Sequence, residues 1–132
     1  MKLFSILLGI VLVPGLAGAQ QLVPKKSGAA TFVCGGVGQA EQQQMKAAEP
    51  GYDMLLTFAT SNGAYQADVD VQIADARGGI VLSTHCAGPL MLVDLPVAGT
   101  WNILARAGGA LRTATVKTGG GLARPVFTWP AS

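Results

Sequence analysis

Ala67-Asp68-Val69-Asp70-Val71-Gln72-Ile73, then Asp75-Ala76-Arg77-Gly78-Gly79, then Ile80-Val81-Leu82-Ser83-Thr84-His85-Cys86: the fold class is decided in this stretch. Ala67, Val69, Val71 and Ile73 alternate with Asp68, Asp70 and Gln72. A period of two belongs to a β-strand with one buried and one wet face, because successive side chains of a strand point to opposite sides. Asp75 to Gly79 has the chemistry of a tight turn. Beyond it Ile80, Leu82, Thr84 and Cys86 share one face and Val81, Ser83 and His85 the other, so Cys86 is expected to point inward and His85 outward.

The same rhythm extends in both directions. Upstream, Tyr52, Met54, Leu56 and Phe58 form an apolar face against Asp53, Leu55 and Thr57, and Ser61-Asn62-Gly63 is a turn. Downstream, Gly88-Pro89 marks a corner and Leu90 to Leu95 a short apolar strand. Thr100 to Ala107 alternates with Trp101, Ile103 and Ala105 inward, Gly108-Gly109 turns the chain into Ala110 to Lys117, and Val126 to Trp129 is a last short strand. Near the start of the domain, Thr31 to Cys34 reads as a strand, and Gln39 to Ala48 as a helix stopped by Pro50-Gly51. Strands of about seven in number, spaced by turn residues, predict an all-β antiparallel sandwich with one short N-terminal helix.

The first residues carry a different signal. Lys2 precedes an apolar run from Leu3 to Leu16, and Ala17-Gly18-Ala19 supplies small side chains before Gln20. This is the pattern of a cleavable secretory signal peptide, too short for a spanning helix. The expected organisation is a signal peptide over 1–19, a flexible leader over 20–30 and one sandwich domain over 31–132, located in the periplasm or secreted. Without Lys2 the chain carries eight basic and seven acidic side chains. Such a balance offers no basic stripe for nucleic acid or an anionic membrane surface, and because no second apolar segment of about twenty residues follows, no stable membrane insertion is expected after cleavage. Cys34 and Cys86 are an even pair, which in an oxidising compartment reads as one disulfide, two buried thiols being the alternative.

Candidate sites are few. Gly35-Gly36-Val37-Gly38 between a strand and a helix has the local order of a dinucleotide loop but lacks the third glycine and the following βαβ unit, so a turn is expected and no cofactor. His85 and Cys86 are neighbours on a strand and cannot converge on one metal ion or form a nucleophile pair, so a solvated histidine is expected. Asp68 and Asp70, with Asp53 or Asp75, could gather calcium or supply an acid and a base, but a solvated strand face explains the same residues. No catalytic residue and no metal site is therefore expected. Tyr52 and Trp101 continue apolar alternations and belong to the core. Trp129 and Phe127, close to Pro130, are the candidate contact surface.

The segment from Tyr65 to Val116 resembles the carboxypeptidase regulatory-like domains. Gln66 to Val71 is similar to that family's alternating valine strand, Asp75 to Gly79 stands in the place of its Asp-x-x-Gly turn, and Leu95-Pro96-Val97-Ala98-Gly99-Thr100-Trp101-Asn102-Ile103 is similar to its Leu-Pro-x-Gly-x-Tyr-x-Val signature. The whole also looks like a group of short exported bacterial proteins. This resemblance implies a transthyretin-like, Ig-like sandwich. The transthyretin-like hydrolases use several histidines and a characteristic C-terminal tetrapeptide, whereas this sequence has only His85 and ends Trp129-Pro130-Ala131-Ser132. The function expected is that of a noncatalytic exported interaction or accessory module for a protein or envelope component. A carbohydrate-binding module using exposed aromatics is the second reading, and a hydrolase a remote third.

Overall fold

The computed structural model describes residues 22–131. The expected signal peptide and its cleavage site near Ala19 lie outside the described residues. Nine strands, β1 (Lys25–Ser27), β2 (Ala30–Gly35), β3 (Met54–Thr60), β4 (Val69–Asp75), β5 (Ile80–Cys86), β6 (Leu90–Asp94), β7 (Thr100–Ala107), β8 (Ala110–Lys117) and β9 (Val126–Trp129), accompany one helix, α1 (Gly38–Ala48). They form an all-β sandwich. One sheet has the order β1-β2-β6-β3-β9 and the other β5-β4-β7-β8.

The alternation seen in the sequence is what lets the sheets hide one face each. Met54, Leu56 and Phe58 meet Val69, Val71, Ile73, Leu82, Trp101 and Ile103 in a single core, each nearly inaccessible to water. Burying one such side chain stabilises the fold by roughly 1.5–3 kcal/mol. The first sheet is buried on both sides. Its outer face carries Val33, Leu55, Leu90 and Leu92, which pack under Met45 of α1 in a second, smaller cluster. That explains why Leu55, expected to face water, is buried and why β6 is apolar at every position but its last. The second sheet has no such cover, so its outer face is the exposed sheet surface of the described residues.

Three further features depart from expectation. Lys25–Ser27, placed in a flexible leader over 20–30, is paired with Ala30–Phe32 as an antiparallel hairpin, so strand order begins six residues before Thr31. Ile80 lies exposed instead of inward, because the β4/β5 register shifts between Ile73 and Ala74 and leaves Val81 as an extra, bulged residue. The last strand pairs in parallel with β3, through Phe58↔Phe127 and Thr60↔Trp129.

Cys34 on β2 and Cys86 on β5 are joined in a disulfide that crosses from one sheet to the other, with Cα atoms 5.5 Å apart. Backbones approach closely beside it. A Cβ added at Gly88 would collide with the backbone carbonyl of Gly35, and both segments adjoin the disulfide-bonded cysteines. Gly88→Ala is accordingly expected to destabilise by roughly 1–3 kcal/mol through overpacking, measurable by urea unfolding; an unchanged midpoint would contradict the close approach.

Candidate functional site

The uncovered face of the second sheet holds the most organised group of polar side chains. Register across β5, β4, β7 and β8 sets His85, Asp70, Arg106 and Leu111 in one transverse row, and Ser83, Gln72, Leu104 and Thr113 in the next. Between the rows lies a shallow depression of about 290 Å³, lined by Asp70, Gln72, Ser83, Leu104, Arg106 and Leu111 among others.

At the edge of this face His85 touches two carboxylates. Its Nδ1 is 2.8 Å from Asp70 Oδ1 and its Nε2 is 3.1 Å from Asp68 Oδ1. Asp70 reaches the ring because it lies directly opposite on β4, and the bulge at Val81 creates that pairing. Asp68 reaches it because its backbone adopts φ 58, a left-handed conformation that aspartate tolerates better than most residues. The hydrogen bond to Asp70, then that to Asp68, hold the imidazole's pKa above its ordinary value of 6.5. A cation is thereby stabilised on an exposed surface.

The chemistry open to this group is limited by its geometry. Both ring nitrogens are already engaged by carboxylates on opposite edges of the ring, so neither is free to accept a proton from a nucleophile. One metal ion cannot sit on both edges of an imidazole, and no cluster of three or more histidine, cysteine or acidic side chains suited to a metal occurs among the described residues. Asp75 is used within its own turn, where Oδ1 accepts the N–H groups of Arg77 and Gly79. Asp53 is on the other sheet, accepting Leu95 N–H at 2.7 Å. It faces Asp94, whose pKa is raised first by loss of water and then by the hydrogen bond and charge of Asp53. Tyr52, half-buried near α1, is raised by burial and next by Asp94.

The glycine turn before α1 has an internal occupant. Glu41 Oε1 accepts the N–H groups of Gly36 and Val37 at 3.0 and 3.2 Å, so the amides a phosphate would need are bonded to the helix's own first turn. Cys86 points inward, bonded to Cys34, and His85 outward, as the alternation requires. The contact surface expected from Trp129 and Phe127 does not form. Both are core residues, 4 % and 3 % exposed, because pairing with β3 turns them onto Phe58. Their burial removes the aromatic platform on which a carbohydrate-binding reading rested.

A second structural feature was not singled out in the sequence: the free edge of β8. Thr118 N–H donates to Gly99 O, which fixes the ladder so that residues 110, 112, 114 and 116 bond to β7. The N–H and C=O groups of Thr113, Thr115 and Lys117 therefore point away from the sheet. Near the start of β8 the edge is closed at Leu111, whose O accepts from Arg112; Arg112 also donates to Thr128 O, and Trp129 Nε1 donates to Ala110 O beside it. From Thr113 to Lys117 no strand covers it among the described residues. No family model, curated protein or solved structure matches the chain.

Proposed function

We propose that the protein is a noncatalytic exported interaction module of carboxypeptidase regulatory-like type, which captures an extended segment of an envelope or secreted protein along β8. The observation that carries this is the unpaired run from Thr113 to Lys117, three outward pairs of backbone donors and acceptors on a strand rich in β-branched residues. Export is supported by the leader pattern and by the disulfide, which an oxidising compartment preserves. Among the described residues no helix is long and apolar enough to cross a membrane.

Charge narrows the partner. From Thr100 to Thr118 the chain carries Arg106, Arg112 and Lys117 and no carboxylate. A neutral or acidic segment is favoured there, and a second copy of β8 is disfavoured by the like charges it would bring.

Proline at an edge position whose N–H faces away from the sheet is tolerated by the fold but removes a donor from the edge. Thr115→Pro is expected to keep the far-ultraviolet circular dichroism and most of the stability while reducing partner capture from envelope extract at least about tenfold, the loss of roughly 1.4 kcal/mol of binding. Photo-crosslinkers at Thr113 should label the captured segment. Capture undiminished by Thr115→Pro would refute strand addition at this edge.

A further inference from the structure

The His85 group carries an inference independent of the β8 edge. Two carboxylate oxygens face the two ring nitrogens at 2.8 and 3.1 Å. A neutral imidazole has one N–H and one lone pair, so it satisfies one carboxylate and turns a lone pair toward the other. Only the imidazolium donates to both. The folded arrangement therefore favours the protonated ring.

We infer that His85 is a proton-operated latch: charged, it ties Asp68 and the connection over 61–68 to the outer face of β4 and β5, and on losing a proton it releases the Asp68 arm.

The two arms are unequal. Asp70 is fixed by the ladder on both sides, opposite His85 on β5 and Arg106 on β7. Asp68 precedes the strand, holds φ 58, and its N–H reaches Ala87 O at 3.3 Å, a long bond. Its contact with the ring is also the longer of the two. No other cation of the described residues comes within 4 Å of either carboxylate; the lysines of β1, which packs against β5, make no such contact, and Arg106 lies beside Asp70 alone. Deprotonation therefore leaves neither carboxylate a cation within 4 Å, and only Asp68, which lies outside the ladder, is free to move away. The sign follows from the raised affinity of the folded ring for its proton: the latch is closed below the ordinary value of 6.5 and opens as pH rises through the higher value of the folded state.

The test is a pH titration by nuclear magnetic resonance of the mature chain, reading the His85 ring protons together with amide exchange at Gln66 and Asp68, corrected for the intrinsic pH dependence of exchange. Gln66 N–H donates to Phe58 O and Asp68 N–H to Ala87 O, so both report on the connection. His85 is expected to titrate above 6.5, with protection at Asp68 falling several-fold through the same midpoint. Asp68→Asn should move the ring's midpoint down toward that of the unfolded chain. His85→Gln should give low protection at Asp68 that no longer follows pH. A midpoint at or below that of the unfolded chain, or protection at Asp68 that ignores the ring's titration, would overturn the latch while leaving strand addition at β8 untouched.

Discussion

Replacing Cys34 and Cys86 together by alanine is expected to cost about 4 kcal/mol and to lower the melting temperature by roughly 15 °C. The bridge closes a sequence separation of 52 residues, which include α1, β3 and β4. On the chain-entropy account, a loop of that length removes this much conformational freedom from the unfolded chain. The loss is large beside the 5–15 kcal/mol typical of a whole domain. Its position raises the effect, because β2 and β5 belong to different sheets and no ladder joins them. Alanine is the better replacement than serine, since Cys86 is fully buried and a hydroxyl there would need a hydrogen-bond partner. Thermal unfolding of the oxidised protein, the reduced protein and the double variant would check it. Reduced and double-variant proteins should melt together, well below the oxidised one; coincident melting of all three would sink the prediction.

That disulfide shows which parts of the fold were legible in the sequence. Alternation placed Cys86 inward, and inward residues of two facing sheets are the ones that can meet. The partner sheet of each strand was not legible, since it depends on register and strand order. One residue decides the case of His85. Without the bulge at Val81, the β4/β5 hairpin would continue its Ala74↔Ile80 register and put His85 opposite Val69. With it, His85 stands opposite Asp70, and an isolated histidine becomes part of a charged cluster. A bulge adds a residue without changing composition, so periodicity alone does not show it and puts Ile80 on the wrong face. Leu90 and Leu92 carry a readable signal: an unbroken apolar run such as Leu90 to Val93 is covered on both sides, and the thin stripe of α1 around Met45 supplies the cover, which Leu55 on the neighbouring β3 shares.

The partly free edge of β8 and the buried rings of β9 follow from the same long-range pairing. Val126–Trp129 is short, near the C-terminus and followed by proline, which reads as a peripheral strand with an exposed ring. Parallel pairing with β3 reverses that reading, since it sets Phe127 and Trp129 on the side of Phe58, whose ring centroid is 6.0 and 6.3 Å from theirs. The indole N–H then finds Ala110 O at 2.9 Å, and Arg112 lies 6.0 Å over the ring, so one side chain links the edges of the two sheets. Trp129→Ala is consequently expected to destabilise by roughly 3–5 kcal/mol, the cost of emptying a large aromatic site in a core. Val126→Ala, on the same strand but 62 % exposed, is the control and should change stability by less than about 0.5 kcal/mol. Urea unfolding of the two variants separates a core tryptophan from a surface one. A Trp129→Ala protein as stable as the Val126→Ala protein would return the indole to the surface, reopen an aromatic contact site, and remove the clamp that leaves only the Thr113 to Lys117 part of β8 free.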